Sequence, residues 1–195
     1  IYIDCRKHKI SNMESIAVNL SDRHFGVGGD GVVFIEPSEV ADIKMREFNA
    51  DGSEGMMCGN AVRCVGKYIY DTGHVNRKDI TVETRSGIKK LWLFVRNNEV
   101  TGAKVDMGAP SFDAASVPVR LDGEVIDREV VVGGENRRIT CVSMGNPHCV
   151  IPVDDVDAID IEKVGPMIET DPLFPDRVNV EFAQVLDETT VKVRV

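Results

Sequence analysis

Cys58, Gly59 and Asn60 are the residues whose types and spacing most clearly suggest chemistry, and they lie where a helix is expected to begin. From Ala61 onward, apolar residues recur at the spacing of a half-buried helix, and Gly73 follows as a stop signal. Cys58 is therefore expected at or just before the first helical turn. There, unpaired backbone N–H groups and the positive end of the helix dipole favour thiolate over thiol. A glycine and an amide beside such a thiolate suit an enzyme that handles a carboxylate-bearing substrate.

A plainer interpretation of Cys58 is a small buried hydrophobe, which is the commoner role of an isolated cysteine. A family resemblance favours the catalytic interpretation. Residues Asn49–Cys64 resemble the first catalytic block of the diaminopimelate epimerases, cofactor-independent amino-acid epimerases of lysine and cell-wall biosynthesis. The remaining blocks agree in order along the chain: Asp22–Gly31, Asp106–Pro110, Ser143–His148 and Arg177–Val180. The resemblance covers essentially all 195 residues.

The resemblance implies an epimerase that inverts an amino-acid α-carbon without pyridoxal phosphate or any other cofactor, interconverting LL- and meso-2,6-diaminopimelate. One base removes the α-proton from one face while an acid delivers a proton to the other. The resemblance makes Cys58 one of two cysteines that exchange thiolate and thiol states at each turnover. The backbone N–H groups of Gly59 and Asn60 would stabilise the developing carbanion through the substrate carboxylate.

The resemblance also implies roles for polar residues beyond Cys58. The substrate-binding residues that it implies are Asn49, Gly59, Asn60, Asn146 and Asn179. It places His148 close enough to the cysteine pair to influence their ionisation. The residues alone leave simpler alternatives open, since Gly145–His148 resembles an ordinary turn between strands and Asn179 an exposed strand face. Four asparagines without a dominant cationic pocket fit a zwitterionic ligand.

The chain departs from the family pattern at its two ends. The family's second cysteine lies in a C-terminal block with a Trp-Glu-Arg-Gly run and an Ala-Cys-Gly-Thr-Gly run, and this sequence stops at Val195 before such a block. A substrate-binding asparagine before the first residue is likewise absent. Cys64 is not a substitute because it follows Cys58 by more than one and a half helical turns, on the opposite face. Cys141 and Cys149 fit core positions, as buried cysteines commonly do. We therefore expect the 195-residue chain alone to be inactive.

The composition restricts partners and location. A net charge of −9 without a Lys/Arg cluster argues against a nucleic-acid surface, and no apolar run is long enough for a membrane span. Five cysteines without a CxxC pair indicate reduced thiols in a cytoplasmic protein. The four histidines lack zinc-ligand spacing, so we expect no metal site. The expected partner is a small-molecule substrate, and a homodimer stays an open alternative.

The segment Gly26–Gly31 spells the GxGxxG fingerprint of dinucleotide-binding proteins. That site requires a strand, then the glycines, then a helix whose N-terminus binds the pyrophosphate. The sequence predicts the order helix, glycines, strand. We therefore exclude nucleotide binding and expect a tight connection instead.

Two other functions remain as alternatives. A relative of the proline racemases or hydroxyproline epimerases would share the fold and the cysteine pair. It is disfavoured because Cys58-Gly59 is followed by Asn60, where a histidine is expected in that group. The other alternative is an inactive fragment that binds the amino acid without converting it.

The predicted elements alternate between helices and runs of strands. Ser11–Glu14 resembles a capping box ahead of a helix from about Met13 to His24. Alternating apolar runs with Asn and Gly turn signals predict strands before and after the Cys58 helix. A further helix is predicted from about Ile161 to Thr170.

These elements predict an α+β fold of two domains, residues 1–107 and 108–195. The resemblance implies two similar domains, each a curved, mainly antiparallel sheet around a central helix, with the active site in the cleft between them. By the same resemblance the first domain is incomplete at its start and the second at its end.

Overall fold

The chain folds into two units, Ile1–Met107 and Gly108–Val195, in a computed structural model that describes residues 1–195. The first unit contains a six-stranded sheet and the second a five-stranded sheet. Both sheets are mainly antiparallel and are accompanied by few helices, which confirms the predicted α+β class. None of the helices combines the length and apolar character needed to cross a bilayer.

The first unit contains strands β1 to β6 and helices α1 and α2. The strands are β1 (Tyr2–Asp4), β2 (Gly31–Glu36), β3 (Ile43–Asn49), β4 (Asp79–Thr84), β5 (Gly87–Arg96) and β6 (Glu99–Asp106), and the helices are α1 (Met13–Ser21) and α2 (Gly59–Asp71). The strands lie side by side in chain order. The pairs β1–β2 and β3–β4 are parallel and the other pairs are antiparallel. Helix α1 precedes the Gly-rich loop and strand β2 follows it, in the order that excluded a dinucleotide site.

Strands β2 and β3 contribute buried residues to two hydrophobic layers, one on each face of the sheet. Successive strand residues point to opposite faces, so neighbours in the chain enter different layers. Val33 and Met45 belong to the hydrophobic layer that also contains Val62 of helix α2. Phe34 and Phe48 belong to the layer beneath helix α1, with their ring centroids 5.6 Å apart in an edge-to-face arrangement. The two helices therefore cover opposite faces of the same strands.

Helix α2 packs closely against β4, β5 and β6 through an apolar face. Gly66 makes this close approach feasible, because a Cβ atom there would lie 2.9 Å from Leu91 Cδ2 and 3.1 Å from Ile80 Cδ1. The helix ends at Asp71, and Gly73 follows with a φ of 69°, as its stop-signal role predicts. The helix thus packs so tightly on the sheet at Gly66 that a larger residue there would not fit without a shift.

Helix α1 differs from its prediction at both ends. It stops at Ser21, short of the predicted His24, because the Asp22 carboxylate accepts hydrogen bonds from the backbone N–H groups of His24 and Phe25 and turns the chain. The predicted capping box is wrong. The N-cap is Asn12, one residue after the predicted serine, in the left-handed conformation (φ 61°), and no side chain caps the helix.

The second unit contains strands β7 to β11 and helix α3. The elements are β7 (Arg128–Val132), β8 (Glu135–Ser143), β9 (Pro147–Pro152), α3 (Ile161–Glu169), β10 (Asn179–Asp187) and β11 (Thr190–Arg194), with a short 3-10 turn at Ala114–Ser116. The order across the sheet is β11-β10-β9-β8-β7, and only β9 and β10 run parallel. Helix α3 contributes Ile168 to a core that also contains Phe174 and Phe182.

We predict that Gly66→Ala lowers the free energy of unfolding by about 1 kcal/mol. Alanine favours a helix over glycine by about 1 kcal/mol, but overpacking a buried site costs about 1–3 kcal/mol, and the residues above Gly66 are fully buried. The matched control is Gly165→Ala in α3, whose new Cβ would meet Ile161 Cγ1 at 3.7 Å and, besides that, the ring of the neighbouring Pro166. It should cost less stability than Gly66→Ala, because only crowding against that ring opposes the helix preference of alanine. Urea unfolding of both variants checks this, and an equal change in both would contradict the packing argument.

Candidate active site

Cys58 lies at the N-terminus of helix α2, where the sequence predicted it. It is the N-cap residue, with an extended backbone (φ −118°, ψ 117°), and its Sγ accepts a hydrogen bond from the Ala61 backbone N–H at 3.4 Å. The N–H groups of Gly59 and Asn60 belong to the first turn and have no partner within the helix. A carboxylate bound at this position would be stabilised by those N–H groups and by the helix dipole.

The predicted asparagines of this unit are exposed and already form hydrogen bonds. Asn49 ends strand β3, and its Nδ2 donates to Ser53 Oγ at 3.0 Å. Asn60 accepts a hydrogen bond at Oδ1 from the Arg63 guanidinium one turn along the helix. Each amide has more donor and acceptor sites than these contacts use, so both retain capacity to bind a ligand.

A carboxylate that the sequence analysis missed, Glu47, lies beside Cys58. Tyr2 pairs with Val33 across β1 and β2, and Val33 pairs with Glu47 across β2 and β3, so these side chains share one face of the sheet. Val33 places that face in the hydrophobic layer of helix α2. Burial raises the pKa of the Glu47 carboxyl, and a hydrogen bond from the Cys58 thiol opposes this rise.

Tyr2 connects the same region to strand β1. Burial raises the pKa of its hydroxyl, and a hydrogen bond with Cys64 raises it further, as do the negative charges that Cys64, Cys58 and Glu47 would carry. Tyr2 is therefore a neutral hydroxyl at physiological pH. Cys64 itself is an exposed thiol.

His148 lies in strand β9 and not in a turn, which corrects the sequence prediction. Strand β8 ends at Ser143 and β9 begins at Pro147, so the turn contains only residues 144–146. His148 pairs with Val142 on one side and with Asn179 on the other, and these pairings extend the strand to the histidine. The histidine is consequently held by strands on both sides.

The two predicted asparagines of the second unit lie at strand ends. Asn146 is half-buried at the end of the turn before β9. Asn179 begins β10, is exposed, and donates from Nδ2 to the Pro147 carbonyl oxygen at 2.9 Å. Asn179 also lines a surface cavity of about 210 Å³ together with Arg177. These amides are accessible to a ligand.

Glu181 is a second carboxylate that the sequence analysis missed. His148 Nδ1 lies 2.6 Å from Glu181 Oε1. Glu181 follows Asn179 by two residues on β10 and therefore points to the same face of the sheet. Burial raises the pKa of the Glu181 carboxyl, while the hydrogen bond and the charge of His148 oppose that rise. The spacing from Asn179 is the sequence signal that could have identified it.

Cys141 and Cys149 are fully buried core residues, as predicted, and they pair directly across strands β8 and β9. The predicted site residues thus form two sets, each within its own unit. Asn49, Cys58, Gly59 and Asn60 belong to the first unit, and Asn146, His148 and Asn179 belong to the second. No group of three or more His, Cys, Asp or Glu side chains in the structure could hold a metal ion.

We predict that Glu47→Gln stabilises the protein at neutral pH but not in acid. The folded-state pKa of Glu47 is raised, so the contribution of this carboxyl to folding is complete below its unfolded pKa, near 4.3, and is lost as the pH rises through the folded pKa. Glutamine imitates the protonated form at every pH. Urea unfolding at about pH 4 and about pH 7.5 checks this.

The exposed Glu39 provides the matched control, since Glu39→Gln should leave the free energy of unfolding nearly unchanged at both pH values. A gain of stability for Glu47→Gln that is equal at both pH values would contradict the assignment of burial as the cause of the pKa shift.

Comparison with known proteins identifies the family. The family model of diaminopimelate epimerase matches residues 1–112 and 140–195. The diaminopimelate epimerase of Acetivibrio thermocellus is 51% identical over 100% of this chain, which spans 70% of that protein. The diaminopimelate epimerase of Methanococcus maripaludis is 48% identical, again over 100% of this chain and 71% of that protein.

A solved structure shows that the fold extends to more distant proteins. A probable proline racemase from Agrobacterium radiobacter K84 superimposes with a TM-score of 0.64 at 15% sequence identity, covering 92% of this chain. This chain spans 57% of that racemase, and at such low identity the similarity concerns the fold alone. The family match and the high identity to curated relatives over the whole chain are the decisive findings: the chain belongs to the diaminopimelate epimerase family of isomerases.

Proposed function

We propose that the protein is a cofactor-independent epimerase that interconverts LL- and meso-2,6-diaminopimelate in lysine and peptidoglycan precursor biosynthesis. The observation that carries the proposal is Cys58 at the N-cap of helix α2, within the segment Asn49–Cys64 that resembles the family's catalytic block. Family membership supports the substrate, since the relatives named above are diaminopimelate epimerases. The proposal includes a cytoplasmic location, where thiols stay reduced.

The proposed mechanism uses two cysteines on opposite faces of the substrate α-carbon. Cys58 removes the α-proton as a thiolate in one direction and returns a proton as a thiol in the other. The family resemblance assigns the opposite face to a second cysteine, in a block that residues 1–195 do not include. The two thiols exchange protonation states at each turnover, so the reaction needs no external oxidant, reductant or cofactor.

The N-terminus of helix α2 supplies the electrostatic part of this mechanism. Removal of the α-proton places negative charge on the α-carbon and, by resonance, on the α-carboxylate. The free backbone N–H groups of Gly59 and Asn60 suit that carboxylate, and the dipole of helix α2 adds to their effect. Such preorganised donors lower the barrier because they need no rearrangement as the charge develops.

Polar residues in each unit are proposed as further substrate ligands. The side-chain amides of Asn49, Asn146 and Asn179 offer donors and acceptors together, which suits a ligand that carries both ammonium and carboxylate groups. His148 is proposed to influence the ionisation of the catalytic thiols. The partner in this proposal is the small-molecule substrate.

We predict that Cys58→Ser reduces the exchange of the substrate α-hydrogen by at least about 100-fold, because a serine hydroxyl is a far weaker acid and base catalyst than a thiol. The measurement is deuterium uptake from heavy water at the α-carbon of LL-diaminopimelate, with formation of the meso isomer followed in parallel. It is made on the complete gene product that contains residues 1–195.

The matched control is Cys64→Ser, an exposed thiol on the same helix, which should retain nearly full exchange. L-Proline serves as the control substrate for the related racemases. Near-normal exchange of the α-hydrogen by Cys58→Ser would contradict the catalytic role of Cys58. Exchange at the α-carbon of proline but not of diaminopimelate would contradict the proposal that diaminopimelate is the substrate.

We also predict that Cys58→Ser is more stable than Cys58→Ala by about 0.5–2 kcal/mol. The Cys58 side chain accepts the Ala61 N–H, and serine keeps an acceptor at the N-cap whereas alanine does not. Urea unfolding of the two variants measures the difference. Equal stability would show that the Cys58 side chain does not cap the helix. If Cys58→Ser is folded, its loss of activity is due to the missing thiol and not to unfolding.

A further inference from the structure

The His148–Glu181 pair is more than a surface contact, because both partners are sheltered from water. The His148 side chain is 25% exposed and the Glu181 side chain is 12% exposed, with Nδ1 and Oε1 at 2.6 Å. The parallel register of β9 and β10 sets this contact, since His148 lies opposite Asn179, two residues before Glu181 on the same face. The strand pairing therefore brings the two side chains within reach of each other.

The Glu181 carboxylate has few alternatives to His148. Its Oε2 is buried and has no hydrogen-bond partner. Besides His148, the backbone N–H of Cys149 is the group that favours the ionised carboxyl. A buried carboxylate oxygen without a donor is costly, so the hydrogen bond from the imidazole matters more here than at an exposed site.

The bonding pattern determines which nitrogen of His148 carries the proton. An ionised carboxylate only accepts hydrogen bonds, so Nδ1 must donate to Glu181. In the neutral imidazole this leaves Nε2 with a free lone pair, ready to accept a proton or a hydrogen bond.

We propose that Glu181 is a positioning residue that keeps the His148 proton on Nδ1 and presents Nε2 to the substrate site. The inference rests on the proposed function in one respect only, namely that His148 acts at that site. Glu181 acts through His148 and is given no contact with substrate. A carboxylate that merely filled space would not select one tautomer.

The test is the tautomeric state of His148 in the complete gene product without substrate, read from two-bond ¹H–¹⁵N correlation spectra at about pH 8.5, where an ordinary histidine is neutral. His148→Gln assigns the resonance among the histidines. We expect protonated-type Nδ1 and unprotonated-type Nε2 resonances in the wild type. In Glu181→Gln this single pattern should be lost, because a glutamine amide can either donate to Nδ1 or accept from it.

Glu135→Gln is the matched control, since Glu135 is an exposed strand glutamate of the same unit that pairs with Arg137. It should leave the His148 resonances unchanged. Glu181→Gln is close in size to the wild type, and its circular dichroism and urea midpoint show whether it folds. A wild-type proton on Nε2, or an unchanged pattern in folded Glu181→Gln, would overturn the proposal.

Turnover of diaminopimelate separates this inference from the function that it builds on. With the function correct, Glu181→Gln should lower kcat by about tenfold or more and change KM little, because the histidine is misprotonated while the amide ligands remain. A changed tautomer in a protein that never converts diaminopimelate would support the positioning role and contradict the proposed function. A changed tautomer with unchanged kcat would overturn the claim that Nε2 serves the substrate site.

Discussion

The burial of helix α2 against the first sheet is the interaction on which the position of Cys58 depends. Gly66 lets the helix approach Leu91 and Ile80 so closely that a Cβ atom at this position would crowd both side chains. This close packing holds the N-terminus of the helix in place on the sheet, and at that N-terminus the backbone N–H groups lie beside Cys58. A displaced helix would separate the thiol from Glu47 on the sheet.

The second unit positions its functional side chains with a pair of parallel strands instead of a helix end. Residues on one face of β9 and β10, such as Cys149 and Phe182, are buried in the core, which fixes the register. The alternating residues, His148, Asn179 and Glu181, are thereby held side by side on the other face. If β10 shifted by one residue along β9, its buried residues would turn outward and its polar residues would turn into the core. Packing of the core therefore keeps the polar residues in their positions.

The sequence predicted those features that depend on neighbouring residues. Helical spacing and the Cys58-Gly59 start gave helix α2 and its N-cap because both signals lie within a few residues. Alternation and turn residues gave the strands for the same reason. The predictions that failed involve competition that a pattern does not reveal: the Asp22 side chain ends helix α1 early, and strand pairing extends β9 through His148. Glu181 was missed because its partner lies 33 residues away.

Cys58 lies between a hydrogen-bond donor, the Ala61 N–H, and a hydrogen-bond acceptor, the Glu47 carboxyl, and this arrangement suits the two-base mechanism proposed above. The Ala61 N–H donates to Sγ, and the carboxyl of Glu47 accepts a hydrogen bond from the same sulfur. An epimerase that works in both directions uses one sulfur as a base in one direction and as an acid in the other. A sulfur placed between a donor and an acceptor has a hydrogen-bond partner in either role, as the proposed mechanism requires.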